Sequence, residues 1–331
     1  MASEPTRRQP LSIFTPSDPV ESATGPIIDP ASPAERSRQA FLAQLVPVPL
    51  AQIALRLPAR AGYRQVLDLA SGAGDWAMEV ARHFPRCQIT GSERCGALIA
   101  QARERAAAAF LPNVSFQQVK VLEAPWPFPD GHFDLVNAQF LARFLPGQPA
   151  WHALLCECVR VLKPGGVIRL VECIAGEANS RAAHTLCLAY QQAVVQSGLR
   201  SALPYASEPQ RMVWLDGLLS DVGCDVMARE VTRIDWTTRN GQGAEIAGYV
   251  LLTLRLLRPF MIEQGTISQE EFEQAYRTLG DEIARGEFAG SWRVQTSTGM
   301  VPQEKPASLP RRRVIPWNGC ATKPIQQDIR S

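Results

Sequence analysis

The chain has 331 residues, of which 46% are hydrophobic and 20% charged, and its 34 basic against 32 acidic side chains leave a formal net charge of +2. That is ordinary globular composition with ample apolar content for a core, in one large domain or two modest ones. The charge balance gives no reason to expect a polyanionic partner.

Other classes fall away on pattern. The densest basic cluster, Arg311 to Arg313, sits in a Pro-rich tail rather than on a periodic face. The eight cysteines, at 87, 95, 156, 158, 173, 187, 224 and 320, contain no Cys-x-x-Cys pair. No metal site is expected, and reduced thiols in a cytoplasmic protein are the better reading. The apolar windows 41–59 and 249–262 are broken by Pro47 and Pro49 and by Arg255 and Arg258, so neither reads as a membrane span. "MASEPTRRQPLSIF" lacks the apolar stretch of a secretory leader, and a soluble protein is expected.

Residues 1–28, rich in Ser, Thr, Pro and charge, read as a disordered arm. A helix is predicted from Pro33, with Ser32 as its N-cap and Glu35 completing a capping box, and Pro47 and Pro49 stop it. Residues 29–60 are thus expected to form helices covering a pocket. From Gln65 onward short apolar runs at 65–70, 87–92, 114–121, 133–138 and 166–173 read as buried strands, separated by helices at 75–84, 95–109 and 150–162. Such alternation predicts a parallel sheet with helices on both faces. Helices follow at 177–199 and 208–222, then strand candidates at 224–236 and 291–301 flank a helical insert, 242–285. Residues 302–331 read as a tail without periodicity.

The chemistry begins at "VLDLASGAGDW". A strand ends near Leu69, and Ala70, Ser71, Gly72, Ala73 and Gly74 turn into a helix, so a ligand can lie against bare backbone amides at a helix N-terminus. A pyrophosphate or the zwitterionic tail of S-adenosylmethionine would suit that turn. Asp68 would repel the first and can orient the cationic amino group of the second. The spacing also differs from Gly-x-Gly-x-x-Gly. About twenty residues after the turn the next strand ends on Glu93, where an acid can accept both ribose hydroxyls.

With "ITGSE", "PWPFPDGHFDLVNAQFL" and "RVLKPGGVIRLVE" following in order, residues 60–175 resemble a class I S-adenosylmethionine-dependent methyltransferase. The similarity is to the small-molecule branch that includes the quinone-biosynthesis enzymes. The resemblance implies an α/β, Rossmann-like fold: a seven-stranded, mostly parallel sheet over 61–301, the last strand antiparallel, with a helical lid. It implies cofactor contacts from Asp68, Ala70, Ser71, Gly72, Gly74, Glu93, Arg94, Val121, Leu122, Asn137 and Ala138. It also implies a small, largely apolar substrate, methylated by in-line displacement at the sulfonium methyl, with no nucleic acid involved.

Two departures stand out. Ala70 replaces the first glycine, which a methyl group tolerates. Lys120 stands where the family carries an acid near the adenine amino group, and a lysine only donates. Either Glu123 takes that role, or Val121 and Leu122 hold the adenine by packing, which is the preferred reading. Substrate-side candidates are Glu172 at a strand end, His184, Tyr190, Tyr205 and Asp216, with Trp236 and Trp292 flanking the insert. No general base stands out. A non-catalytic S-adenosylmethionine-binding module and a nicotinamide-dependent oxidoreductase remain as alternatives, the latter disfavoured by Asp68.

Overall fold

Apolar runs of five to seven residues, bounded by turns, are too short for buried helices and instead stack as strands. In the computed structural model β1 (Gln65–Leu69), β2 (Gln88–Glu93), β3 (Val114–Gln118), β4 (Phe133–Gln139) and β5 (Leu162–Ala178) are mutually parallel. β6 (Asp225–Asp235) and β7 (Gly290–Met300) complete the sheet in the order β3-β2-β1-β4-β5-β7-β6, with β7 antiparallel to both its neighbours. The structure describes residues 62–143, 145, 148–197, 208–238 and 241–304, together with short strands at Gln9–Leu11, Glu21–Ser22 and Gly25–Pro26. This is the expected Rossmann-like architecture. The strand order reverses between β1 and β4, and the crevice above such a switch point is where open α/β sheets bind ligands.

Helices α1 (Asp75–His83) and α2 (Gly96–Ala108) cover one face of the sheet. Trp76, Ile89, Ile99 and Phe116 pack there with Val66, Leu135 and Val167. On the other face α3 (Gln148–Val161) and α5 (Glu208–Asp221) bury Leu67, Leu69, Val136, Ile168 and Leu170 against Leu154, Leu155, Leu215 and Leu219. Alternation along each strand divides the two sets.

A third core lies at the C-terminal extension of the sheet. α4 (Arg181–Gln196) packs with α6 (Gly241–Glu263) and α7 (Gln269–Ala284), the two helices between β6 and β7. Leu186, Tyr249, Phe260 and Phe272 join Val171, Cys173, Trp236, Phe288 and Trp292 in one cluster. The Trp236 ring stands 5.0 Å from Trp292 and 4.7 Å from Phe288, centroid to centroid. A methyl group on Gly290 would come within 2.7 Å of Trp236, so only glycine lets β7 start there. α7 opens on a capping box between Ser268 and Glu271.

Several boundaries differ from the sequence reading. β3 stops at Gln118 rather than at 121, because Lys120 already accepts a turn bond from the Glu123 N–H. β5 runs from Leu162 to Ala178 rather than 166–173, since β7 pairs along it as far as Ala178. α4 begins at Arg181, where the Ser180 hydroxyl accepts the Ala183 N–H at 3.0 Å. Within the arm 1–28, expected to be disordered, Gln9–Leu11 pairs antiparallel with Gly176–Ala178. There β5 has outrun β4 and its edge would otherwise lack a partner. The helices expected over 29–60, Tyr205 and residues 305–331 lie outside the described residues.

Candidate cofactor site

The bend after β1 is held from three sides. The Ser71 N–H donates to the Ser92 carbonyl at 2.8 Å, and the Gly74 N–H to the Ser71 carbonyl at 2.9 Å. Arg105 of α2 donates to the Ala73 carbonyl at 2.9 Å and to Asp75 at 2.5 Å. Ala70, Gly72 and Gly74 take φ of 49°, 55° and 84°. Left-handed φ is free for glycine and costly for alanine, so Ala70 carries local strain beyond the question of its methyl's size. A Cβ on Gly74 or on Gly91 of β2 would come within 2.5 Å of the Phe116 ring. That ring packs on the α1–α2 side, behind the bend.

Glu93 faces the bend. Its carboxylate is buried and accepts the Gly72 N–H at 3.2 Å and the Cys95 N–H at 2.9 Å, one on each oxygen. Each carboxylate oxygen can accept two bonds, so the group is suited to bridge a pair of vicinal hydroxyls from the same place.

Asp68, Asn137 and Arg169 stand side by side on β1, β4 and β5, as successive partners in the parallel register. All three are buried on the face that carries α1 and α2. The Asn137 amide donates to Asp68 Oδ1 at 2.8 Å and accepts from Arg169 Nη1 at 2.6 Å. Burial pushes the Asp68 carboxyl up to about 7, against the pull of the Asn137 bond and the Arg169 charge.

Two further polar atoms at this edge are buried without a hydrogen bond among the described residues: Ser71 Oγ and Gln139 Nε2. Gln139 lies two residues beyond Asn137, hence on the same sheet face. Buried donors are normally paired, and an unmet one beside a ligand crevice marks where a ligand atom can accept. The period-two spacing of Asn137 and Gln139 in "NAQF" is the sequence signal for this position. Phe140, with φ 54°, then turns the chain so that its ring packs against the third core.

The remaining residues singled out from sequence divide. Ala138 is buried at the end of β4, and Arg94 is exposed beyond Glu93. Val121 packs on the α3–α5 core, its carbonyl accepting from Trp126 Nε1 at 3.1 Å, whereas Leu122 is half exposed. Lys120 is exposed and pairs with Glu123 at 3.0 Å, so the two neutralise each other. Glu172 is buried on the opposite face from Asp68, and its carboxylate accepts the Ala142 N–H at 2.8 Å. It steadies the turn after β4 and does not join the Asp68 row. Asp216 is likewise committed, to Ser297 at 2.7 Å and to Arg229. His184 and Tyr190 are half-buried on α4, and Tyr190 packs against the third core. Among the described residues no group of three or more His, Cys, Asp or Glu side chains is arranged to hold a metal ion, and no helix is long and apolar enough to cross a membrane.

The donor set fits S-adenosylmethionine. Glu93 offers acceptors for a diol, Asp68 an acceptor for an ammonium group, and the bend presents backbone close enough for direct contact. An acid at Asp68 suits a cationic tail and opposes a pyrophosphate. Residues 66–166 match the family described as "Methyltransferase domain". A methyltransferase of Strobilurus tenacellus is 34% identical over 104 residues, 31% of this chain and 33% of that protein. The demethylmenaquinone methyltransferase of Deinococcus radiodurans is 35% identical over 113 residues, 33% of this chain and 43% of that protein. The trans-aconitate 2-methyltransferase of the same organism is 34% identical over 106 residues, 32% and 36% of the two chains. In each case the match spans less than half of the relative's length. With the strand order and the acid-flanked bend, these matches make residues 66–166 similar to the class I S-adenosylmethionine-dependent methyltransferase domains of relatives that include quinone-biosynthesis enzymes.

Proposed function

We propose that the protein transfers a methyl group from S-adenosylmethionine to a small, largely apolar metabolite. One observation carries the proposal: at the sheet's switch point the buried Asp68 stands just before a bend whose Gly72 N–H donates to the buried Glu93 carboxylate, so two acids flank one small-residue turn. The names of the relatives add to it, since a demethylmenaquinone and a trans-aconitate methyltransferase act on unlike acceptors yet match this chain similarly. The acceptor must therefore be set by segments outside the matched stretch, and here those include the α4–α6–α7 unit.

S-Adenosylmethionine supplies a methyl already activated on a sulfonium, so the work of the chain is alignment and exclusion of water. Glu93 fixes the ribose and Asp68 the ammonium. Phe140 and Tyr190 both pack, partly buried, at the edge of the third core, which gives that side an apolar border. The unmet Gln139 amide donates to a polar atom of the acceptor and sets its angle of attack. An amide cannot take a proton, which favours an acceptor that is acidic in its own right, such as a phenol or quinol. α6 and α7 close over the acceptor as a lid.

Calorimetric titration tests the cofactor, and release of S-adenosylhomocysteine over a panel of phenols, quinols and short carboxylates tests the acceptor. Binding of S-adenosylmethionine without binding of NAD, and turnover confined to the aromatic acceptors, is expected. Tighter binding of NAD, or turnover of the carboxylates alone, overturns the reading.

A further inference from the structure

Arg169 is fully buried in the middle of β5, where the flanking Ile168 and Leu170 are also fully buried. A buried guanidinium is costly unless it is paired, and replacing such a group by an apolar one is often neutral or stabilising. Its presence therefore asks for a use. Burial lowers it to about 10, which leaves it a cation at neutral pH.

The hydrogen-bond chemistry of the row is one-directional. Arginine has donors only, so the Asn137 oxygen must face Arg169. The Asn137 NH₂ must then face β1, and its bond to Asp68 Oδ1 requires an acceptor there. A cation at one end of an amide and a carboxylate at the other polarise each bond in the same sense. Of the charged groups acting on Asp68, Asp75 on α1 and Glu93 on β2 are acidic and oppose its ionisation, while Arg169 on β5 is basic and favours it. Asp75 is itself paired with Arg105. Glu230 of the edge strand β6 acts on Arg169 from the other side.

We propose that Arg169 is a positioning residue for cofactor capture: through Asn137 it holds Asp68 as a carboxylate, with Oδ1 engaged by the amide and Oδ2 turned to the ammonium of the incoming S-adenosyl amino acid. The inference rests on the cofactor reading above and adds to it a residue that touches no ligand. It makes the aminoacyl end of the cofactor, and not the adenosyl end, sensitive to a side chain two strands away.

Two probes separate those ends. S-Adenosylhomocysteine carries the amino acid, and 5′-methylthioadenosine carries the nucleoside without it. Affinities for both are measured by calorimetry from pH 5.5 to 8.5 on the unaltered protein, Arg169→Gln and Arg169→Lys. Gln keeps a donor toward Asn137 and removes the charge, whereas Lys keeps the charge. The unaltered protein is expected to prefer S-adenosylhomocysteine, with the preference falling by about tenfold per pH unit once Asp68 protonates below about pH 7. In Arg169→Gln the preference at pH 7.5 drops about tenfold or more and its pH midpoint moves upward, with 5′-methylthioadenosine affinity unchanged and Arg169→Lys restoring most of the loss. An Arg169→Gln variant that keeps the full preference, or that loses both ligands equally, overturns the inference. If Arg169→Gln does not fold, Arg169→Met, which replaces the buried charge by an apolar side chain, is read with the same two probes and the same outcomes decide. Binding of neither probe by the unaltered protein overturns the cofactor reading and this inference with it.

Discussion

On the proposed cofactor reading, Glu93 joins local structure to ligand chemistry in one carboxylate. Both oxygens already accept backbone N–H groups, from Gly72 and Cys95, so the acid fixes the bend before any ligand arrives. In Glu93→Gln one of those N–H donors would face an amide NH₂ and lose its acceptor. Leaving a buried donor unmet costs about 1–3 kcal/mol. The variant should unfold at a lower temperature by calorimetry and bind S-adenosylmethionine at least about tenfold more weakly; an unchanged melting temperature would remove Glu93 from the support of the bend. Asp68 gives a pH signature of its own. Its folded value of about 7 lies above its ordinary 3.8, so between those values the folded state holds the extra proton. The stability this contributes is full below about pH 4 and is lost as pH rises through about 7. Relative to Asp68→Asn, the ligand-free protein should therefore lose stability in denaturant titrations as pH rises from 4 to 8, and a difference that stays constant over that span would count against a raised carboxyl. Asp68, Glu93 and Asn137 were legible in the sequence because strand ends and the turn fix where such residues stand. Arg169 was not, because "VIRLVE" reads as one buried strand, and nothing in a linear pattern shows that 68, 137 and 169 share a register row.

At the level of elements, the bend is shaped as much by what lies behind it as by its own glycines. The Phe116 ring of β3 fills the space next to Gly74 and Gly91, and a methyl on Gly91 would also meet Ser71 Oγ at 2.8 Å. The ring lies between sheet and helix and cannot retreat without moving α2, since Ala102 packs in the same cluster. Overpacking of this kind typically costs about 1–3 kcal/mol. Gly91→Ala should therefore destabilise by about that amount and weaken S-adenosylmethionine binding by shifting Ser71, while Phe116→Leu added to it should recover part of both losses. Strictly additive effects in that cycle would show that Phe116 does not set the bend. Strands read from apolar runs appear at the expected places, β1 and β4 to within a residue. The end of β3 differs because a turn closes at Lys120, and the ends of β5 differ because a strand's length is set by its neighbours in the sheet. β5 reaches Ala178 only because β7 and Gln9–Leu11 pair with it there, and that pairing partner is remote in sequence.

For the molecule as a whole, the proposed meeting with the acceptor rests on the third core. α4, α6 and α7 share one apolar cluster with the upper ends of β5 and β7, separate from the two cores that sandwich the lower sheet. Their order in the chain was visible as helical pattern, but their mutual packing was not, because their apolar faces meet across nearly a hundred residues. Arg258 of α6 pairs with Glu273 of α7 at 2.5 Å, on exposed ground where it adds little to stability. The unit is held instead by Trp236, Phe260 and Phe272, all buried. Because the three helices share one core, they should open as a unit, with local opening cheaper than global unfolding. Hydrogen exchange followed by mass spectrometry resolves this. S-Adenosylhomocysteine alone should slow exchange in residues 70–74 and 137–143 and leave α6 and α7 as they were. Adding an accepted phenol or quinol should then slow both helices together. Protection of α6 without α7 would divide the unit, and an acceptor that protects neither would show that the insert is a support for the sheet extension and no lid.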